Sequence, residues 1–151
     1  MIVVPKTQND WQAMTAFMRF HAGVMPSADM QCIGWVVNGG LVLAVSFNGF
    51  VGKVAQIHVA MAEGWHFTPR AMLREVFRYA FETAQLEMLI GILNSKNDRA
   101  MKYDLHLGFR ELHRLPGMHE DGGDLVMLGL KKSDCRYLDT YEVYTAAAGS
   151  A

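Results

Sequence analysis

The sequence has few cysteines, almost no excess charge and no long apolar run, and each shortage removes a class of protein. Its two cysteines, Cys32 and Cys135, stand far apart and match no metal-ligand spacing. A disulfide framework and a zinc module are therefore excluded, and the pair reads as one buried thiol and one in the tail. The six histidines also fall into no ligand pattern, whether His58 with His66 or His113 with His119, so no metal is expected. Acidic and basic residues nearly cancel, leaving a formal net charge of −1. That balance gives no reason to expect nucleic acid or a membrane as a bulk partner. No uninterrupted apolar stretch approaches the roughly 18–20 residues of a membrane span. The opening MIVVPKTQND has neither the charged segment nor the long apolar core of a signal peptide. A soluble cytoplasmic protein is the expectation.

What is present suits a packed globule. The chain has 151 residues, 51% hydrophobic and 19% charged. A chain of that size buries about two-thirds of its unfolded surface and needs no staples to fold. No internal repeat and no interdomain linker is visible.

The pattern of apolar residues predicts the elements. MIVVPKT is a short strand ending at a proline. Trp11, Met14, Phe17, Met18 and His21 recur at helical spacing, with Asn9 or Asp10 as the cap and Gly23 and Pro26 as the stop. Two β-rich runs flank Asn38-Gly39-Gly40, a hairpin turn sequence. A second break at Asn48-Gly49 precedes a third run, Lys53 to Met61. Met72, Leu73, Val76, Phe77, Ala80 and Ala84 then form a helical stripe, with Thr68 placed as N-cap and Pro69 at the first helical position. LEMLIGIL is an apolar run suited to a strand buried on both faces. A helix of about 97–107 follows, then FRELHRL and DLVMLGL as two strands joined by PGMHEDGG. The order β, α, β, β, β, α, β, α, β, β implies a mixed sheet with helices packed on it, an α/β (α+β) fold. Residues 132–151 read as a C-terminal tail, with 146–151 disordered.

Three segments in this order resemble the GNAT N-acetyltransferases. IHVAM leads through a loop into TPRAMLREVFRYAFE. NSKNDRAMKYDLHLGF carries Asn97, Ala100 and Leu107-Gly108-Phe109 at that family's N-x-x-A…G-F spacing. GGDLVML matches the closing strand. The likeness covers about residues 1–130 and looks closest to a phage-type branch. It implies a single GNAT-like domain over 1–131, with acetyl-CoA lying where the Lys53–Met61 and Leu86–Leu93 strands splay apart. Main-chain groups of Ile57, Val59 and Met61 would hold the pantetheine arm as a neighbouring strand would. The pyrophosphate would sit on the unpaired N–H groups at the start of the Thr68 helix, whose terminus carries about half a positive charge. Asn97 would form part of the cofactor wall.

Several residues in this frame carry chemistry and have a plainer alternative. Arg70 and Arg74 stand in the first turns of the helix, either on CoA phosphates or as a solvated face paired with Glu75 and Glu82. The family's loop usually reads R/Q-x-x-G-x-G/A, but here Trp65, Phe67 and Pro69 stand where its glycines fall. In many family members a Tyr four residues before the Gly of G-F returns a proton to the departing thiolate. Asp104 occupies that place, and Tyr103 lies one residue earlier, a 100° turn away. Either is a candidate acid, Tyr103 otherwise being a helix aromatic and Asp104 a surface carboxylate. Candidate bases are His58, Glu63, His66, His119 and Glu120. His58 shares a strand face with Gln56 and Ala60 by alternation, and Glu63 ends the strand. The resemblance implies transfer of an acetyl group from acetyl-CoA to an amine by direct attack, so no nucleophile triad is required, and it allows a homodimer. A fold of this kind that has lost catalysis and serves as a binding or virion-associated module is the alternative.

Overall fold

The computed structural model describes residues 1–138. They form a mixed seven-stranded sheet with flanking helices, the expected class with the expected element order. The strands are β1 (Ile2–Val3), β2 (Gln31–Val37), β3 (Gly40–Val51), β4 (Val54–Met61), β5 (Met88–Asn94), β6 (Arg110–Leu115) and β7 (Leu125–Lys131). The helices are α1 (Gln8–Ala22), α2 (Arg70–Arg78) and α3 (Asp98–Leu107). Two compact units are distinguishable: Met1–Val51 with Ala55–Val76, and Gly52–Val54 with the chain from Phe77.

The first unit is built on β1 to β4 in chain order. The β2–β3 hairpin turns at Asn38 and Gly39, both left-handed with φ of 50° and 79°. That pair of positive φ values matches the right-handed twist of the strands. Register runs from Gln31 opposite Phe47 to Trp35 opposite Leu43, and then slips by one at Val36. Helix α1 lays Met14 and Met18 on this sheet, in a core with Val24, Met30, Cys32, Ala44 and Ala60. Burying side chains of this size is worth roughly 1.5–3 kcal/mol each.

The cap of α1 is Thr7, not Asn9 or Asp10. Thr7 Oγ1 accepts from Asp10 N–H at 3.1 Å, and Asp10 Oδ2 accepts from Thr7 N–H at 3.0 Å, a reciprocal capping box. The same two backbone donors, Lys6 and Thr7, hold the Asp10 carboxyl below its ordinary pKa. A second correction concerns Asn48-Gly49, which lies inside β3 rather than ending it. Gly49 takes φ 60° there, and the chain turns at Gly52 and Lys53 instead.

The second unit orders its strands β5-β7-β6, all antiparallel, with Leu89 opposite Leu130 and Arg110 opposite Gly129. Leu89, Val126, Leu128 and Leu130 make one buried face. On the other, Ile92 is 45% exposed, so β5 is not covered on both sides as its unbroken apolar run suggested. Edge strand β6 is exposed throughout, and its register shifts between Glu111 and His113. Charge and a bulge are two devices that keep such an edge from pairing with another chain. The helix beginning at Arg70 widens into a π turn over Tyr79–Thr83, closed by Ala84 N–H on Tyr79 O at 2.8 Å. Its first bond, Leu73 N–H to Pro69 O, starts one residue later than expected. Cys135, expected in a tail, is 1% exposed, and Tyr137 stacks on Phe77 at 5.4 Å between ring centroids. The expected disorder of 146–151 falls outside the described residues.

The caps give the first prediction. Thr7→Ala removes a cap worth typically about 1 kcal/mol and lowers the thermal midpoint by roughly 2–4 °C. Asn9→Ala leaves it unchanged. Equal shifts in the two variants, read by circular dichroism, contradict the capping assignment.

Candidate active site

In the first unit the candidate groups sit on β4 and the loop after it. Ala60 is buried in the α1 core, and alternation puts His58 on that same face. His58 is half-buried, and its Nε2 lies 2.9 Å from Asn48 Oδ1. Burial lowers its pKa from the ordinary 6.5, so the imidazole is neutral at pH 7 and able to take a proton. Glu63 is exposed in the turn that follows β4.

The loop after Gly64 (φ 81°) folds on itself. Trp65 Nε1–H donates to Phe67 O at 2.6 Å, and the two rings stack at 4.7 Å with 27° between planes. Phe67 remains 57% exposed. The glycine-rich cradle of the family is thus replaced by an aromatic pair locked to its own backbone. Helix α2 then begins, and because its first bond ends on Pro69 O, the N–H groups of Arg70, Ala71 and Met72 have no acceptor within the helix. Its first turn carries no acidic residue. Arg70 is exposed and Arg74 half-buried. A helix start with no carboxylate in its first turn suits an anionic group.

In the second unit the segment NSKNDRAMKYDLHLGF resolves into a helix with both ends tied. Asn97 Oδ1 accepts from Ala100 N–H at 3.2 Å, which makes Asn97 the N-cap of α3. Gly108, at φ 108°, is the left-handed C-cap and donates to the carbonyls of Asp104 and Leu105. Phe109 N–H donates to Asp104 O at 3.1 Å, and its ring is buried. The N-x-x-A…G-F spacing is therefore the distance between two caps. Asn97, expected as a cofactor contact, already uses its side-chain oxygen in the first of them.

This doubly tied helix presses Asp104 toward β5. Gly91 of β5 faces the carboxyl: a methyl group there would stand in ordinary contact, 3.6 Å from Asp104 Oδ2. Asp104 is half-buried rather than a surface carboxylate, and desolvation pushes its pKa from 3.8 up to about 6. Tyr103 is half-buried as well.

Beyond β5 a polar knot fixes the loop between β6 and β7. Asn94 Nδ2–H donates to Asp121 Oδ2 at 2.6 Å, Lys96 Nζ–H to Asp121 O at 2.9 Å, and Asp124 N–H to Ser95 Oγ at 2.8 Å. His119 Nδ1 lies 3.0 Å from Asp121 Oδ1. His119 is thus engaged in the knot, while Glu120 and His66 are exposed.

Solved structures share this architecture. A spermidine/spermine N-acetyltransferase from Vibrio cholerae superposes with a TM-score of 0.70 over 93% of this chain and 95% of its own, at 13% identity. The ribosomal-protein-S18-alanine N-acetyltransferase of Escherichia coli superposes at 0.67, over 87% and 94%, at 16% identity. The chain has the GNAT N-acetyltransferase fold. No protein-family model and no curated protein matches the sequence. Among the described residues no helix is long and apolar enough to cross a membrane.

Within this GNAT fold, sequence reasoning missed two positions. Asn48 was read as part of a turn, and Gly91 as one more residue of an apolar strand. The raised pKa of Asp104 carries a pH dependence of known sign. The folded state holds the Asp104 proton more tightly than the unfolded chain, so between about pH 4 and 6 it binds more protons, and stability falls as pH rises through that window. Asp104→Asn removes this contribution. The stability of wild type relative to Asp104→Asn, from urea titrations, should fall by on the order of 2 kcal/mol between pH 4 and 6 and stay flat above 7. A pH-independent difference would mean a fully solvated carboxyl.

Proposed function

We propose that this protein is an N-acetyltransferase that transfers the acetyl group of acetyl-CoA directly to an amine. The observation that carries the reading is Asp104: a carboxyl on the α3 helix whose pKa burial raises to about 6, at the place where many GNAT enzymes keep a tyrosine acid. Acetyl-CoA supplies a thioester carbonyl for the amine to attack, and CoA thiolate leaves. Asp104, with a pKa near 6, lies close enough to neutrality to act as the proton donor to that thiolate. His58, neutral and half-buried, accepts the proton that the amine loses. The extended main chain at Ile57, Val59 and Met61 holds the pantetheine arm. The donors at Arg70, Ala71 and Met72, with Arg70 and Arg74 nearby and Thr68 and Pro69 leading into the turn, receive the diphosphate. The shared fold supports this, since both solved proteins named above are N-acetyltransferases by description. The fold alone does not name the amine.

Tyr103 and Glu63 receive lesser roles. Tyr103 is one helical residue from the acid position, and Glu63 is exposed to solvent beyond β4.

The test couples binding to chemistry. Acetyl-CoA at a hundredfold over its dissociation constant stabilises the protein by about 2.7 kcal/mol. Asp104→Asn lowers kcat by about 10²–10⁴-fold and leaves CoA affinity near wild type. Tyr103→Phe changes kcat by less than about twofold. A full-rate Asp104→Asn enzyme would move the acid elsewhere. Acetyl-CoA binding without acetylation in a broad amine screen would leave a binding module instead of an enzyme, and no binding at millimolar acetyl-CoA would overturn the reading entirely.

A further inference from the structure

The Asn48-Gly49 step has the sequence of a turn and is not used as one. β3 runs through it to Val51, with Gly49 held at φ 60° inside the strand. A left-handed glycine within a strand departs from extended geometry and so changes the direction of the neighbouring side chain. A side chain there would come within 3.3 Å of the flexible amide end of Gln56, two residues before His58. The side chain preceding this kink is Asn48, whose Oδ1 meets His58 Nε2 at 2.9 Å. Both groups are half-buried.

An amide oxygen only accepts hydrogen bonds. The contact therefore fixes the proton of neutral His58 on Nε2, which leaves the lone pair on Nδ1. Without such a partner a neutral imidazole exchanges between two tautomers, and only one presents a given nitrogen as a base. We propose that Asn48, next to the left-handed Gly49, is a positioning residue that holds His58 in the Nε2–H tautomer, so that Nδ1 takes the proton of the acceptor amine. The nitrogen of the amine bonds to the acetyl carbon, the C–S bond breaks, and the proton released by the new amide goes to Nδ1. This inference rests on the acetyl-transfer reading above, but its structural half stands apart from it.

Two measurements on the intact protein test it. Long-range ¹H–¹⁵N spectra of the free protein at pH 7.5 report the protonated nitrogen of His58 directly. Wild type and Asn48→Asp, which keeps an acceptor oxygen, should show the Nε2–H form, and Asn48→Ala a mixture of both. In acetylation assays Asn48→Ala should lose at least about tenfold in kcat, part of the 10²–10⁴-fold a positioned base supplies, with KM for acetyl-CoA unchanged. Asn48→Asp should recover most of that loss. Wild-type His58 protonated on Nδ1 would overturn the proposal whatever the activity. The expected tautomer with an undiminished Asn48→Ala rate would overturn the catalytic role of Asn48 while leaving acetyl transfer intact. A wild type that binds acetyl-CoA and acetylates nothing would remove the base role together with the acetyl-transfer reading.

Discussion

The acetyl transfer proposed for this protein depends on the desolvation of one carboxyl, Asp104. Its pKa near 6 follows from burial and not from a neighbouring acid, since burial is the cause of the shift. Asn97 and Gly108 close both ends of the helix that carries Asp104, and Gly91 of β5 faces its carboxyl. A carboxyl placed this way keeps a proton two pH units higher than a solvated one would, which is the property an acid needs near neutral pH.

The same interaction explains why part of the sequence was readable. The spacing of Asn97, Ala100 and Gly108-Phe109 is a capping pattern, and caps obey local rules: an Asx oxygen for the first N–H groups, a left-handed glycine for the last carbonyls. The order of strands and helices was legible for a similar reason, because hairpin turns and helical stripes are set within a few residues. Asp104 itself was legible only as a position. Its carboxyl faces Gly91, 13 residues away on another element, and no local pattern reports that proximity.

The misreadings share this cause. Asn48-Gly49 has turn chemistry, but the strand continues through a left-handed Gly49 and the reversal occurs at Gly52 and Lys53. Thr7 outcompetes Asn9 as a cap because Asp10, three residues on, completes a reciprocal pair with it. The run LEMLIGIL looked buried on both sides, yet which face of a strand is covered is decided by elements packed on it, and Ile92 stays partly in water. The GWHFTP loop lacks the glycines that let a backbone curl around a diphosphate. The structure shows a Trp65–Phe67 stack fixed to its own backbone in their place.

The proposed acetyl transfer depends on the proton affinity of one side chain. Titration of the Asp104 carboxyl carbon by ¹³C NMR, in the free protein and with desulfo-CoA bound, measures it without reference to any acceptor amine. A midpoint near 6 in the free protein, moving higher when the ligand displaces further water, is the predicted result. A midpoint near 3.8 in both states would contradict it, because a carboxyl that is solvated and ionised has no proton to give a departing thiolate at neutral pH.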